Sequence, residues 1–497
     1  MNPLKRLAGQ TAIYGLPTIV GRLLNYFLVP LYTRVLGTAE YGTVAEMYTY
    51  VTFLNVIFTY GMETAYFRFC QTESDKGKVY FTNLFSILST SIVLAAGLVL
   101  FAAPLATSIS HSGHKDYIIT FALMLGLDAI TSIPFAKLRL DNRPKKYAII
   151  KSINIGVNIL LNLFFLLFCP WVMKSPDHIF YGFVSGFFNR ADFVEYVFLA
   201  NLAASALTLV LLIPQFPRGG GWKFDLLLWK RMMYYALPLL IVGLAGMVNE
   251  TSDRLMIKYL TVDKSIAMSE VGIYSACYKI AIFMTIFIQT VRMAAEPFFF
   301  VEAQKSDSRK TYATVMKYFV IACSLIFIGV MMNMYAVQYF VGVKFRSGLK
   351  IVPVLLVANL CLGIYYNLSI WYKLSGQTRY GAWLALAGAG VTLLLNFILI
   401  PIMGYMGAAW TTLACYFFMM VVSYLIGQVY FPVPYNLKKM IFYPVLAISI
   451  YALMTGLWTL ISPSPVVELV TGNLALLLFV SIAWVIERPQ KTLSSLP

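Results

Sequence analysis

Charge is what this chain most lacks. Only 12% of its 497 residues are Asp, Glu, Lys or Arg, against about 25% in an ordinary soluble domain. So few charges cannot cover a water-facing surface on a chain of this length. Histidine is scarcer still: His111, His114 and His178 all fall in loops. His111 and His114 stand i, i+3 with no third ligand nearby, so the sequence offers no metal site. The six cysteines (Cys70, Cys169, Cys277, Cys323, Cys361, Cys415) form no CxxC pair and sit in or beside apolar segments. They read as small packing residues, not as a disulfide or zinc framework. A GxxxxGK phosphate loop ending in Ser or Thr is absent, so nucleotide hydrolysis is not the energy source. No nucleophile–base pair stands out, and no loop is long enough to fold as a domain. An enzyme with a soluble catalytic domain is excluded, and any substrate has to be held by helices.

Apolar sequence is what the chain has in abundance, with 60% hydrophobic residues and a mean hydropathy of +0.76. Runs near the spanning length of about 20 residues recur at 8–30, 43–67, 81–104, 117–136, 147–169, 193–214, 232–257, 271–300, 312–333, 350–372, 381–402, 405–427, 440–460 and 466–486. They predict an all-α polytopic membrane protein of about fourteen transmembrane helices. The first run contains Pro17, Arg22 and Asn25 and no small-residue cleavage site follows it, so it reads as a retained helix. The formal charge of +17 could suggest nucleic acid, but its distribution argues otherwise. With the N-terminus inside and loops alternating, 24 of the 38 Lys and Arg residues fall on the cytoplasmic side and 9 on the other. That is the positive-inside bias. It places both termini in the cytoplasm.

An internal repeat gives this array its form. YGLP at 14–17 is answered by YALP at 235–238, AEYG at 39–42 by SEVG at 269–272, and GVNILLN at 156–162 by GVTLLLN at 390–396. The offsets grow from 221 to 234 in chain order, as small insertions would make them. Six helices per copy is an even number, so the copies run parallel, the arrangement in which substrate lies near the midplane between halves. The expected organisation is a six-helix lobe over 1–214, a cytoplasmic linker over 215–230, a second six-helix lobe over 231–430, and an extra helix pair with a tail over 431–497.

Charges inside a bilayer cost about 2.5–3.5 kcal/mol each at a helix centre and normally face the bundle interior. Arg22 and Asn25 share a face of the first expected helix. Lys151, Asn154, Asn158 and Asn162 make one polar stripe on the fifth. The seventh carries Asn249, Glu250, Asp253 and Arg254, and the eighth Lys279, Gln289, Arg292 and Glu296. Glu250–Arg254 and Arg292–Glu296 have ion-pair spacing and serve equally as locks between turns or as ligand contacts. Asparagines in such helices also bond between helices. Glu46, Glu63 and Arg254 read as close enough to the interface to reach water. Arg22, Lys151 and Lys279 have no acid one turn away and ask for an anionic ligand or for a partner on another helix. The substrate-binding candidates are Arg22, Asn25, Lys151, Asn154, Asn158, Lys279 and Arg292. The candidates for coupling a proton or sodium ion are Asp128, Glu250 and Asp253. No other cofactor is expected.

Two stretches carry a resemblance. VPLYTRVLGTAEYGTV at 29–44, with Pro30, Arg34, Leu36-Gly37 and Tyr41-Gly42, resembles the segment after the first helix of bacterial polysaccharide-biosynthesis flippases. LLLNFILIPIMGYMGAAWTT at 393–412, with Asn396, Pro401, Gly404 and Gly407-Ala408-Ala409, resembles their eleventh-to-twelfth helix turn. DRLMIKYL at 253–260 and VGIYSACYKI at 271–280 fit the same family, which sits in the multidrug/oligosaccharidyl-lipid/polysaccharide exporter superfamily. The resemblance implies a flippase in the bacterial inner membrane. Its cargo would be a polyprenyl-pyrophosphate-linked oligosaccharide for O-antigen, capsule or exopolysaccharide, moved by alternating access beside membrane lipid and the polysaccharide assembly machinery. Basic residues facing a central cavity would hold the pyrophosphate, and Arg22, Lys279 and Arg292 match that plan by helix. The alternatives are a peptidoglycan-precursor flippase, a multidrug or cation antiporter and, from another class, a membrane polymerase or ligase.

Overall fold

The computed structural model describes residues 26–217, 223–303 and 307–488. Within them every regular element is helical. The longer helices in chain order are α1 (Leu28–Val35), α2 (Thr38–Thr59), α3 (Met62–Thr72), α4 (Lys76–Leu100), α5 (Lys115–Leu140), α6 (Pro144–Leu163), α7 (Phe193–Leu212) and α8 (Leu226–Leu260). They continue as α9 (Lys264–Tyr278), α10 (Ile282–Glu302), α11 (Ser308–Met332), α12 (Val352–Leu368), α13 (Arg379–Met403), α14 (Tyr405–Tyr430), α15 (Leu437–Ile461) and α16 (Pro465–Glu487). Twelve helical stretches among the described residues are long and apolar enough to cross a membrane, and they coincide with the expected third to fourteenth helices. The protein is a multi-pass integral membrane protein. Large apolar side chains such as Leu100, Leu160, Ile402 and Leu460 point outward, as a hydrocarbon solvent allows and water would not. The expected first helix lies almost wholly outside the described residues, and with it Arg22 and Asn25.

The expected second helix, 43–67, is instead the broken pair α2–α3. Tyr60 (φ 30°) and Gly61 (φ 74°) are left-handed, and a Cβ on Gly61 would meet the Ala236 carbonyl at 3.0 Å. A glycine therefore meets both the backbone and the packing requirement at this corner. The corner is held by Asn83, whose Nδ2 donates to the Met62 carbonyl at 2.8 Å, and by the Tyr60–Ser86 hydroxyl pair at 2.8 Å. Around it Phe58, Met62, Tyr66, Ile87, Leu125 and Met232 form a buried core.

The helices fall into two compact units. One comprises the described residues up to Ser275 together with Thr392–Tyr405. In it α4 and α7 flank α5, α7 also packs on α6, and α8 runs beside α2. The start of α2 crosses α9 at the repeated glycines. A Cβ on Gly42 would overlap the Met268 carbonyl oxygen, and one on Gly272 would overlap that of Thr38. Thr38 and Ser269 join hydroxyls at the same crossing, 3.1 Å apart.

The other unit begins at Ala276, runs to Val391 and resumes at Met406. Its centre is α11, packed by α12, α15 and α16. Glu487, in the last turn of α16, fastens the final helix pair. Its carboxylate takes Lys439 Nζ and the Tyr443 hydroxyl at 2.7 Å each and also pairs with Lys317 of α11. Nearer the other end, Asn473 donates to Asn333 at 3.1 Å.

Candidate functional site

Arg292 stands on α10 in register with Ile288, Ala295 and Phe299, the i−4, i+3 and i+7 positions of one helix face. That face forms one wall of a small open recess. The opposite wall comes from the end of α12 and the short helix Ile370–Leu374, which contribute Tyr366, Asn367, Ser369 and Lys373. Arg292 is exposed to this space, its guanidinium carbon 4.5 Å above the Tyr366 ring. An arginine stacked on an aromatic face is held in place while its N–H fork still points at a ligand. Two cations against an apolar wall suit an anionic headgroup with a greasy attachment. Lys373 lies just beyond the expected 350–372 run, and nothing in the spacing of two residues 81 apart pairs it with Arg292.

The polar stripe on α6 is tied to its neighbours. Asn154 donates to Thr208 of α7 at 2.9 Å. Asn162 donates to Asn158 Oδ1 at 3.0 Å and accepts from the Tyr32 hydroxyl at 2.9 Å. Asn158 and Asn162 are buried. The Asn154–Thr208 and Asn162–Tyr32 bonds are helix–helix joints. Lys151 lies 4.3 Å over the Phe135 ring and is attracted by Asp128 of α5, whose carboxylate is hydrogen-bonded by Ser205 of α7. Asp128 is thus the acid whose charge Lys151 feels from a neighbouring helix, but no ion pair closes between the two among the described residues.

The α8 charges are arranged differently from the expected Glu250–Arg254 pair. Arg254 NH1 reaches Asp253 Oδ1 at 3.0 Å and donates to the Glu250 backbone carbonyl at 3.3 Å. Asp253 also accepts the Tyr274 hydroxyl of α9, which leaves this buried acid fully engaged. Glu250 is exposed. Lys279 opens a one-turn 3₁₀ segment, Lys279–Ala281, between α9 and α10. It is half-buried and has interactions of its own, so it is not the unpartnered cation that its sequence neighbours suggested.

Sequence reasoning set aside Glu46 and Glu63 as interfacial. Glu63 pairs with Arg139, but Glu46 has no exposed side-chain surface and binds Lys258 and His111. All six cysteines are buried thiols. No group of three or more His, Cys, Asp or Glu among the described residues is placed to hold a metal ion.

Residues 7–302 match the family described as "Polysaccharide biosynthesis protein". The chain belongs to that family. Solved structures similar to this family member agree on its fold. A lipid II flippase MurJ in an inward closed conformation has a TM-score of 0.67 at 14% identity, over 95% of this chain and 99% of that one. An inward-facing multidrug resistance MATE transporter of the MOP superfamily has a TM-score of 0.66 at 12% identity, over 84% and 97%. Its outward-facing counterpart has 0.60 at 12%, over 86% and 98%. No curated protein sequence matches.

Proposed function

We propose that this protein is a flippase, not an enzyme, moving a polyprenyl-pyrophosphate-linked oligosaccharide from the inner to the outer leaflet of a bacterial inner membrane by alternating access. Family membership and the MurJ- and MATE-like fold support the transporter class. The observation that carries the substrate class is the Arg292–Tyr366–Lys373 recess. A pyrophosphate needs charge-assisted donors, and this recess faces two cationic side chains toward one space beside Ile288 and Phe299. An organic-cation antiporter calls for acids instead. The positive-inside bias supports termini in the cytoplasm, and the repeat supports two six-helix lobes joined by the 215–230 linker.

The test is deletion of the gene followed by identification of the lipid-linked glycan that builds up on the cytoplasmic side. An accumulated repeat unit of a surface polysaccharide supports the proposal. Accumulated peptidoglycan precursor would move the protein to the second reading, which the extent of the MurJ fold match favours. Altered drug sensitivity without any glycolipid build-up would overturn both.

A further inference from the structure

We propose that Glu46, with His111 and Lys258, forms a proton-binding site that fastens the start of α2 to the end of α8 and releases them when a proton enters. This deepens the flippase reading and rests on it only for what the proton drives. The sequence's topology puts the 101–114 segment, with its short helix Ala102–Ser108, and the 261–263 turn on the outer face, so the proton would arrive from outside.

The Glu46 carboxylate is completely enclosed. Lys258 Nζ meets Oε1 at 2.5 Å and His111 Nε2 meets Oε2 at 2.8 Å. Lys258 also donates to the Ile109 carbonyl. Other groups face the site from each element around it. From α2 itself comes Tyr50, whose hydroxyl lies near Glu46 and 2.9 Å from that of Tyr259 on α8. From α5 comes Tyr117, its ring 6.2 Å from His111 and stacked at 4.7 Å on His114. Glu195 of α7 faces His114. On α9, Lys264 donates to the Tyr259 carbonyl at 2.6 Å and Glu270 accepts from Thr261 at 3.0 Å. Asp253 and Arg254, one turn back on α8, are closed on each other.

With neutral His111 the three groups sum to zero charge, and a buried pair of this kind persists only while both partners stay. His111 is the most exposed member, 11% of its side chain against 8% for Lys258 and none for Glu46. Imidazole exchanges protons near neutral pH. A proton taken from water at Nδ1 lets the Nε2 proton pass to Glu46 Oε2. Histidine ends neutral in its other tautomer, the carboxylate becomes an acid, and the cluster gains one positive charge. Lys258 then has lost its counter-ion in a buried place, and parting α2 from α8 returns it to water. Asp253 is held by Arg254 and by Tyr274 of α9, and Glu250 makes no side-chain bond to α2.

The experiment reads the clasp without substrate. Thr38→Cys and Ser269→Cys are introduced together in the full chain in membrane vesicles, because Ser269 on α9 follows the end of α8 through the 261–263 turn and its hydroxyl already touches that of Thr38, and disulfide formation is followed from about pH 8 to about pH 5.5, across the imidazole range. Thiol chemistry alone slows as pH falls, so the decisive comparison is with the same cysteine pair carrying Glu46→Gln or His111→Gln. Cross-linking in the parent should fall more steeply with acid than in either variant, and Glu46→Gln should be poorly cross-linked throughout. The same pH slope in all three would overturn the proposal. Should Glu46→Gln fail to reach the membrane, His111→Gln decides alone. A parent slope with no glycolipid build-up on gene deletion would keep the proton site and remove the flippase.

Discussion

Gly42 and Gly272 occupy equivalent places in the internal repeat, and in the fold they meet. Each carries its helix so close to the other that a single methyl on either would overlap a backbone carbonyl of its neighbour, Met268 for Gly42 and Thr38 for Gly272. The exchange is reciprocal, as a repeat meeting its own copy requires. Small residues let membrane helices approach this closely, where packing and weak Cα–H contacts replace the absent hydrophobic drive.

Alanine at Gly42 or Gly272 should therefore force α2 and α9 apart, at the about 1–3 kcal/mol typical of overpacking. Gly246→Ala on α8 meets nothing within 4 Å and should be neutral. Thermal unfolding in detergent checks the contrast; equal midpoints for all three would contradict the close crossing.

Asn83→Ala should weaken the corner between α2 and α3. It strips the Met62 carbonyl of a buried donor, and an unsatisfied buried group costs about 1–3 kcal/mol. Limited proteolysis near residue 61 should accelerate accordingly.

Arg292→Ala should abolish complementation of a gene deletion at matched expression, and Lys373→Ala should weaken it. Arg292→Lys should restore only part, because an ammonium keeps the charge but loses the planar stack on Tyr366. Full complementation by Arg292→Ala would remove the recess from the mechanism.

The α6 asparagines should behave as joints. Asn154→Ala should cost about 0.6 kcal/mol, a membrane hydrogen bond's average, while transport persists. Asp128→Asn and Lys151→Met should show a measurable coupling in a double-mutant cycle, since each charge acts on the other across α5 and α6. Additive losses would show that the two act separately.

Asp225 caps α8, accepting the Leu228 amide at 2.9 Å, and pairs with Lys78. The Lys78 hydrogen bond, with the helix-end amides, holds its carboxyl below the usual range. A lowered folded value means its stabilising effect is present above the ordinary carboxylate range and is lost as pH falls through the lowered one. Asp225→Asn should flatten the acid limb of a stability–pH curve and leave the neutral part with a fixed deficit.

The sequence by itself determined the third to fourteenth helices and the repeat, because the membrane makes these local matters. Each span must satisfy its own backbone and be apolar along its length. The corner at Tyr60–Gly61 escaped because two left-handed residues inside an apolar run leave hydropathy unchanged. Only the tertiary structure decided which charges meet. Glu46 finds His111 across 65 residues and Lys258 across 212, Arg254 turns to Asp253 instead of Glu250, and Lys373 joins Arg292. Hydropathy measures what each residue costs in hydrocarbon, but the partner that offsets that cost is chosen by helix packing, which one-dimensional spacing does not encode.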